Sequence, residues 1–294
     1  VSYLNRDISP TLFIIGCGTP TPTPERFGSC LVLNIRNEYL MFDCGPATTH
    51  KLAKAGLKTT DINHLFFTHH HYDHNADYPC FLLCRWDHEK EGIPLLKVYG
   101  PSQTEQITQK LIGPDGAFAD DWRARVEHPA SQQVYAARGG KIPRPKPTFD
   151  VRDIEAGEHF KIGTAVVSVS QATHLQPILK SLAYRVDWEG QSIVITGDTG
   201  KTDEIKAFSR RAQTLVVNIW DFQENMTKVM TSGFCGTLDA ALLAKESEAK
   251  RLIVTHQTPG LCKPGAREKA VSDMADIFKG EIIFGEELMV IHLN

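Results

Sequence analysis

Short apolar or alternating blocks recur along this chain, separated by polar, glycine-rich or proline-rich segments. Blocks rich in β-branched and aromatic residues read as strands. In the first half these are Thr11–Ile15, Cys30–Ile35, Glu38–Phe42, Asn63–Phe67 and Leu95–Tyr99. The second half adds Ala165–Ser170, Ser181–Val186, Gln191–Ile195, Thr214–Ile219, Arg251–Val254, Glu281–Phe284 and Leu288–Ile291. Helical spacing falls on Thr48–Ala55, Ser102–Leu111, Thr202–Arg210, Leu238–Glu248 and Ala266–Phe278. A further helix through Pro79–Cys84 puts Cys80 and Cys84 on one face, which reads as two buried thiols. A strand–strand–helix opening followed by strand–helix pairs, repeated at lower fidelity in the second half, predicts an α/β fold. Two packed sheets should carry helices on their outer faces.

Chemistry collects where the apolar blocks end. The segment Thr68-His69-His70-His71-Tyr72-Asp73-His74 directly follows the strand block His64–Phe67. In an extended strand end His69 and His71 share a side and His70 points away. Asp73 and His74, after the turn, reach a second position beside the first. His174, Asp198 and His256 each close another apolar run. Strand ends at one edge of a sheet converge on one crevice, and imidazole with carboxylate is the donor set of a catalytic zinc.

Length and composition fit one large domain over 1–294. The 294 residues are 41% hydrophobic and 9% aromatic, enough for a substantial core. Against 35 acidic residues stand 32 basic ones, a net charge of −3, without the basic surface of a tRNA binder. The seven cysteines form no zinc-ribbon or redox Cys-x-x-Cys pattern, which reads as a reduced, cytoplasmic setting. No apolar run approaches membrane-spanning length. The chain opens on Val1 rather than Met, so a removed leader and export stay open.

The set His69-x-His71-x-Asp73-His74, His174, Asp198 in Gly197-Asp198-Thr199, and His256 resembles the metallo-β-lactamase superfamily. Gly16-Cys17-Gly18-Thr19-Pro20, Arg26-Phe27-Gly28-Ser29-Cys30 and Phe42-Asp43-Cys44-Gly45 resemble its ribonuclease Z-like branch. The resemblance runs from about Leu12 to the C-terminus, with one poorly matching stretch near 115–150. It implies the αβ/βα sandwich of two mixed sheets and two zinc ions per chain. His69, His71 and His174 would hold one ion; Asp73, His74 and His256 would hold the other. Asp198 would bridge, and Asp73 and Asp198 would be the catalytic carboxylates around a shared hydroxide. Asp43 would orient a ligand histidine from behind.

Departures from that branch narrow the function. Where ribonuclease Z carries a His-Glu-Ala-Thr-Phe segment, this chain reads Asn218-Ile219-Trp220-Asp221-Phe222. Where that enzyme has a Gly-His-Ser-Thr segment, Phe234-Cys235-Gly236-Thr237 stands, with Cys235 for the histidine thought to protonate the leaving oxygen. The tRNA-gripping insertion is missing between His174 and Asp198, which leaves room for two strands and a turn. General acid help is worth ~10²–10⁴ in rate, so its loss points away from phosphodiesters.

The expected activity is hydrolysis of a small organic molecule with a good leaving group: an activated ester, a lactone or an aryl halide. A ribonuclease Z-like phosphodiesterase using Asp221 as acid is the alternative, with a hydrolytic dehalogenase of an aromatic compound beside it. Trp220, Asn218 and Trp86 are the candidate substrate contacts. Segment 113–150, closed by the basic proline run Arg138–Pro147, reads as a surface excursion, a cap over the crevice or a subunit contact. A homodimer stays open. Neither nucleic acid nor a membrane is expected as a partner.

Overall fold

The computed structural model describes residues 9–89 and 91–293; Val1 and the leader question attached to it lie outside them. The strands are β1 Thr11–Cys17, β2 Ser29–Ile35, β3 Glu38–Phe42, β4 Ile62–Phe66, β5 Lys97–Gly100, β6 Asp150–Asp153 and β7 His159–Ile162. They continue as β8 Ala165–Ala172, β9 Ser181–Trp188, β10 Gln191–Ile195, β11 Thr214–Asn218, β12 Arg251–Thr255, β13 Glu281–Phe284 and β14 Met289–His292. The helices are α1 Thr48–Lys54, α2 Tyr72–Asn75, α3 Tyr78–His88, α4 Thr104–Ile112 and α5 Ala119–Glu127. After them come α6 Pro129–Ala137, α7 Asp203–Phe208, α8 Thr237–Glu246 and α9 Ala266–Ile277.

One mixed sheet runs β14-β1-β2-β3-β4-β5-β6 and the other β13-β12-β11-β10-β9-β8-β7. From β3 to β6 and from β10 to β13 the pairing is parallel. Alternation along each strand sorts side chains between two apolar layers. Leu12, Leu31 and Leu33 face the second sheet, whereas Ile15, Cys30 and Val32 face the helices outside. Phe42, Phe66 and Tyr184 meet between the sheets with ring centroids 5.2–5.6 Å apart. A third layer packs α7, α8 and α9 on the second sheet through Ile205, Leu243, Ala270 and Met274. This is the expected αβ/βα sandwich. No helix of the described residues is long and apolar enough to cross a membrane.

The predicted strands are present with ends shifted by one or two residues, except that β6 and β7 were not anticipated. Each is a four-residue edge strand with exposed charged positions, too short to print a period-two pattern. Cys80 is exposed and Cys84 half-buried, so neither is a core thiol. Helix α3 buries Tyr78, Phe81, Leu82, Arg85 and Trp86, which turns the two cysteines off the packed face.

Segment 113–150 folds into α5, α6 and a return strap, and it does not cap the crevice. Its Trp122 and Ala119 pack on Trp86. Arg144 lies 3.8 Å from the Trp86 ring centroid, 4.8 Å from that of Tyr135, and bonds Asp87 at 2.8 Å. Next to Trp86, Arg85 donates to the Thr59 carbonyl, to Asn63 Oδ1 at 3.1 Å and to the Pro94 carbonyl at 2.6 Å. Asn63 is the second residue of β4, so this docking site lies at the end of the sheet where the strand starts. Trp86 is therefore a buried anchor for the arm, and its expected substrate contact is not realised.

Candidate metal centre

The strands β4, β8, β11 and β12, and the turn after β10, deliver the centre from their C-terminal ends. Among the described residues, two groups of donor atoms come together. His69, His71, His174 and Asp198 form one and Asp73, His74 and His256 the other, with atoms within 4.8 Å in each. All seven candidate ligands thus meet. His69 Nε2 is 3.0 Å from His71 Nδ1, which lies 3.3 Å from His174 Nε2. His74 Nε2 stands 3.3 Å from His256 Nε2, and His256 Nε2 is 3.1 Å from Asp73 Oδ2. Asp198 lies between the groups: Oδ2 is 3.8 Å from His174 Nε2 and 3.6 Å from His256 Nε2, and Oδ1 is 3.5 Å from His74 Nε2. His70 faces away, with Nε2 2.8 Å from Thr104 Oγ1.

Behind the ligands, a second set of bonds aims the rings. His74 Nδ1 donates to Asp43 Oδ2 at 2.7 Å. Asp43 also accepts from Thr68 N at 2.7 Å and from Thr68 Oγ1 at 2.9 Å. With its proton spent on Asp43, Thr68 Oγ1 accepts from His69 Nδ1 at 3.0 Å. His174 Nδ1 donates to the Gly233 carbonyl at 2.9 Å. In each case the proton sits on Nδ1, leaving the Nε2 lone pair for the centre. Asp43 thus occupies the orienting position expected of it.

Backbone geometry is special at the same places. Asp43 and His256 adopt φ of 63° and 61°, left-handed conformations that cost roughly 1–3 kcal/mol each and persist where the surroundings enforce them. Gly197, at φ +58°, precedes Asp198, and a Cβ there would stand 2.7 Å from Thr68 Cβ. Only glycine lets the two strand ends approach that closely.

The residues fit divalent ions. Ring nitrogens crowd together at 3.0–3.3 Å, close enough for neighbours to share a proton or a divalent ion. Asp73 Oδ1 is buried without a hydrogen-bond partner. Burial, followed by the charge of His74, holds the His69 pKa far below its ordinary value, and burial and His174 lower that of His71. Burial opposes ionisation of Asp198, but His256, His74, His69 and His174 outweigh it and keep the carboxyl well below its usual range. For His74 burial is again opposed, here by Asp43 and Asp198, which push its pKa up to about 10. Neutral rings and charged carboxylates are the forms that bind metal, and the proton drawn to His74 shows how strongly this field favours a cation.

The aromatic neighbours differ from expectation in part. Trp220 lies beside the centre, 6.5 Å from His256 between ring centroids. Asn218 is buried with its Nδ2 donating to Asp198 Oδ1 at 2.7 Å, so it holds a ligand and makes no wall for substrate. Phe234 was missed; it stacks edge-on against His174 at 4.7 Å and tilts on Trp220 at 5.0 Å. Thr68 was missed as well, although it opens the His-rich segment and its hydroxyl was legible there.

Asp43→Asn should lower metal affinity by ~10–100-fold with little change in fold. An amide accepts the His74 proton but cannot also take both Thr68 bonds without leaving its own N–H groups unmatched. Metal titration against a competing chelator checks this, and unchanged affinity would remove Asp43 from the centre.

Residues 38–257 match the family model described as the Beta-lactamase superfamily domain. Ribonuclease Z from Mycobacterium bovis (strain BCG / Pasteur 1173P2) is 24% identical over 282 residues, 94% of this chain and 95% of that protein. The metallo-beta-lactamase fold protein YhfI from Bacillus subtilis superposes with a TM-score of 0.75 at 18% identity, covering 96% of this chain and 99% of its own. The short form of human tRNase Z superposes at 0.66 with 22% identity, over 96% and 98% of the two chains.

Proposed function

The chain belongs to the metallo-β-lactamase superfamily of hydrolases, and from that footing we propose that it is a zinc-dependent hydrolase of a small organic substrate whose leaving group departs without protonation. An activated ester, a lactone or an aryl halide fits. The observation that carries this reading is the fate of Ile219 and Cys235. Both are 1% exposed and belong to the apolar layer under α8. Burial pushes the Cys235 thiol pKa well above its ordinary value. Neither position offers a proton to a departing atom.

His69, His71 and His174 would hold one ion, and Asp73, His74 and His256 the other, with Asp198 between them. Two divalent ions bound there supply Lewis acidity and a lowered pKa for water. Nitrogen and oxygen donor sets of this kind would favour zinc. The chain's own groups do the positioning. Asn218 pins Asp198 Oδ1, and Asp43, Thr68 and the Gly233 carbonyl lock three rings in one tautomer. Trp220 and Phe234 wall one side, restrict water and present a flat apolar surface to the substrate.

A phosphodiesterase reading is favoured by one observation, the ribonuclease Z relatives that match 94% of this chain. Its acid would be Asp221, whose Oδ1 already accepts from the Phe222 amide at 2.7 Å. The β9–β10 hairpin between His174 and Asp198, and a net charge of −3, support a substrate other than tRNA.

Protein purified without chelator should carry two zinc ions per chain and turn over para-nitrophenyl esters, aryl lactones or aryl halides faster than bis(para-nitrophenyl) phosphate. Metal content well below one ion per chain would sink the centre. Preference for the phosphodiester, or processing of a tRNA precursor, would install the phosphodiesterase reading.

A further inference from the structure

One loop, residues 18–28, runs along the second donor group and touches the chain beside its ligands. Gly18 forms a β-bridge with Gln257, the residue after His256. The hydroxyl of Tyr72, which stands between His71 and Asp73 in sequence, donates to the Pro20 carbonyl at 2.7 Å. A Cβ on Gly28 would stand 2.9 Å from the Asp73 carbonyl oxygen. A buried ion pair fixes the far side of the loop: Lys51 Nζ meets Glu287 Oε1 at 2.8 Å. Lys51 also donates to the Phe27 carbonyl, and Glu287 Oε1 accepts from the Phe27 amide at 2.6 Å.

Arg26 sits inside this frame. Its side chain is half-buried, and its guanidinium lies against the thiols of Cys17, at the end of β1, and Cys262, in the turn after His256. The Cys17 carbonyl accepts from Gln257 N at 2.9 Å, so the head group lies between the end of β1 and the segment leaving His256. Its Nε is buried without a hydrogen-bond partner. No carboxylate pairs with it among the described residues, the exposed Glu25 beside it included. Burial pushes the Cys17 thiol pKa up to about 12, so at neutral pH that thiol supplies no counter-charge.

We propose that Arg26 is an anion-recognition residue beside the centre, so that the preferred substrate carries a carboxylate or phosphate group close to the bond that is cut. The proposal rests on the hydrolase reading above: water adds across the acyl C–O bond, yielding the carboxylic acid and the free alcohol or phenol. The recognised anionic group passes unchanged into one of these two products. A cation partly withdrawn from water without a partner is unfavourable, and a bound anion relieves it. Guanidinium suits the task, because its planar fork holds carboxylate or phosphate oxygens in pairs. Lys51, the buried cation of the same loop's anchor, is already engaged by Glu287 and Phe27. The bonds at Pro20 and Phe27 brace the loop on both sides of Arg26, and a pre-organised head group loses less entropy on capture.

Two matched pairs of esters on the zinc-loaded full chain test this, one charged on the acyl side and one on the leaving group. Mono-para-nitrophenyl adipate is compared with para-nitrophenyl hexanoate, and para-(carboxymethyl)phenyl acetate with para-tolyl acetate. In at least one pair the charged ester should exceed its neutral match in kcat/KM by ~10-fold or more, the range of a hydrogen bond to a charged group. Arg26→Gln should bring that ratio to about 1, and Arg26→Lys should keep ~3-fold, because an ammonium supplies the charge without the fork. Equal rates within both pairs for the unmutated chain would overturn the proposal and leave the hydrolase. A ratio that survives in Arg26→Gln would assign the preference to the metal charge and overturn it as well. So would equal losses on charged and neutral esters in both variants, which would make Arg26 a prop for the fold. Calorimetry with adipic monohydroxamic acid and hexanohydroxamic acid separates the two readings. Tighter binding of the charged ligand, lost in Arg26→Gln, without hydrolysis of any ester would keep the anion site and remove the hydrolase reading.

Discussion

Asp198→Ala should lose turnover by roughly a thousandfold or more, beyond the ~10–100-fold cost of removing a group behind a ligand. One carboxylate serves both donor groups: Oδ2 lies 3.8 Å from His174 Nε2 and 3.6 Å from His256 Nε2, while Oδ1 faces His74 Nε2 at 3.5 Å. Its removal takes a donor from each group and leaves the Asn218 amide without its acceptor. The apolar layers do not include Asp198, so circular dichroism should stay native. Zinc content should fall from two ions towards one. Near-normal activity at normal zinc content would show that the carboxylate does not join the two groups. Asp73→Ala should strip mainly the second group, because its Oδ2 meets His256 Nε2 at 3.1 Å and His74 Nε2 at 3.6 Å, both rings of that group.

The second large effect is expected across leaving groups. With Ile219 and Cys235 sealed in the layer under α8, negative charge must build on the departing atom or be borne by a metal. Rates on substituted phenyl esters should rise steeply with leaving-group acidity, spanning about three orders of magnitude between phenol and dinitrophenol, comparable to the ~10²–10⁴ that a general acid supplies. Alkyl esters and unactivated phosphodiesters should be slow. A flat dependence would reveal a proton donor, and Asp221→Asn would then be the first variant to examine. Single-turnover measurement is required, since slow product release also flattens such a series.

The ligands were legible because they stand at or just beyond the C-terminal ends of apolar runs, and where strands run parallel, as β10, β11 and β12 do, those ends reach one edge of the sheet. Trp86 misled for a related reason. It follows the ligand segment closely in sequence, but it rides on the eleven-residue α3, which at about 1.5 Å per residue carries it to the far end of the sheet. Asn218 stood correctly beside the centre, yet the choice between a bond to substrate and a bond to Asp198 depended on the β10–β11 register, which no local pattern records. Phe234 went unread because the segment 226–234 has no periodicity; only its bond to His174 through Gly233 gives it a place.

By itself the sequence determined the layered α/β architecture, the ligand types and the sides they take, because hydrophobic periodicity and strand-end position are local properties that survive any choice of partner strand. The tertiary structure alone decided which nitrogen of His69, His74 and His174 faces inward, since that depends on acceptors brought from Thr68, Asp43 and Gly233. It also decided that segment 113–150 docks at the strand-start end. Contacts between residues distant in sequence set both, and their energies exist only once the sheets have packed.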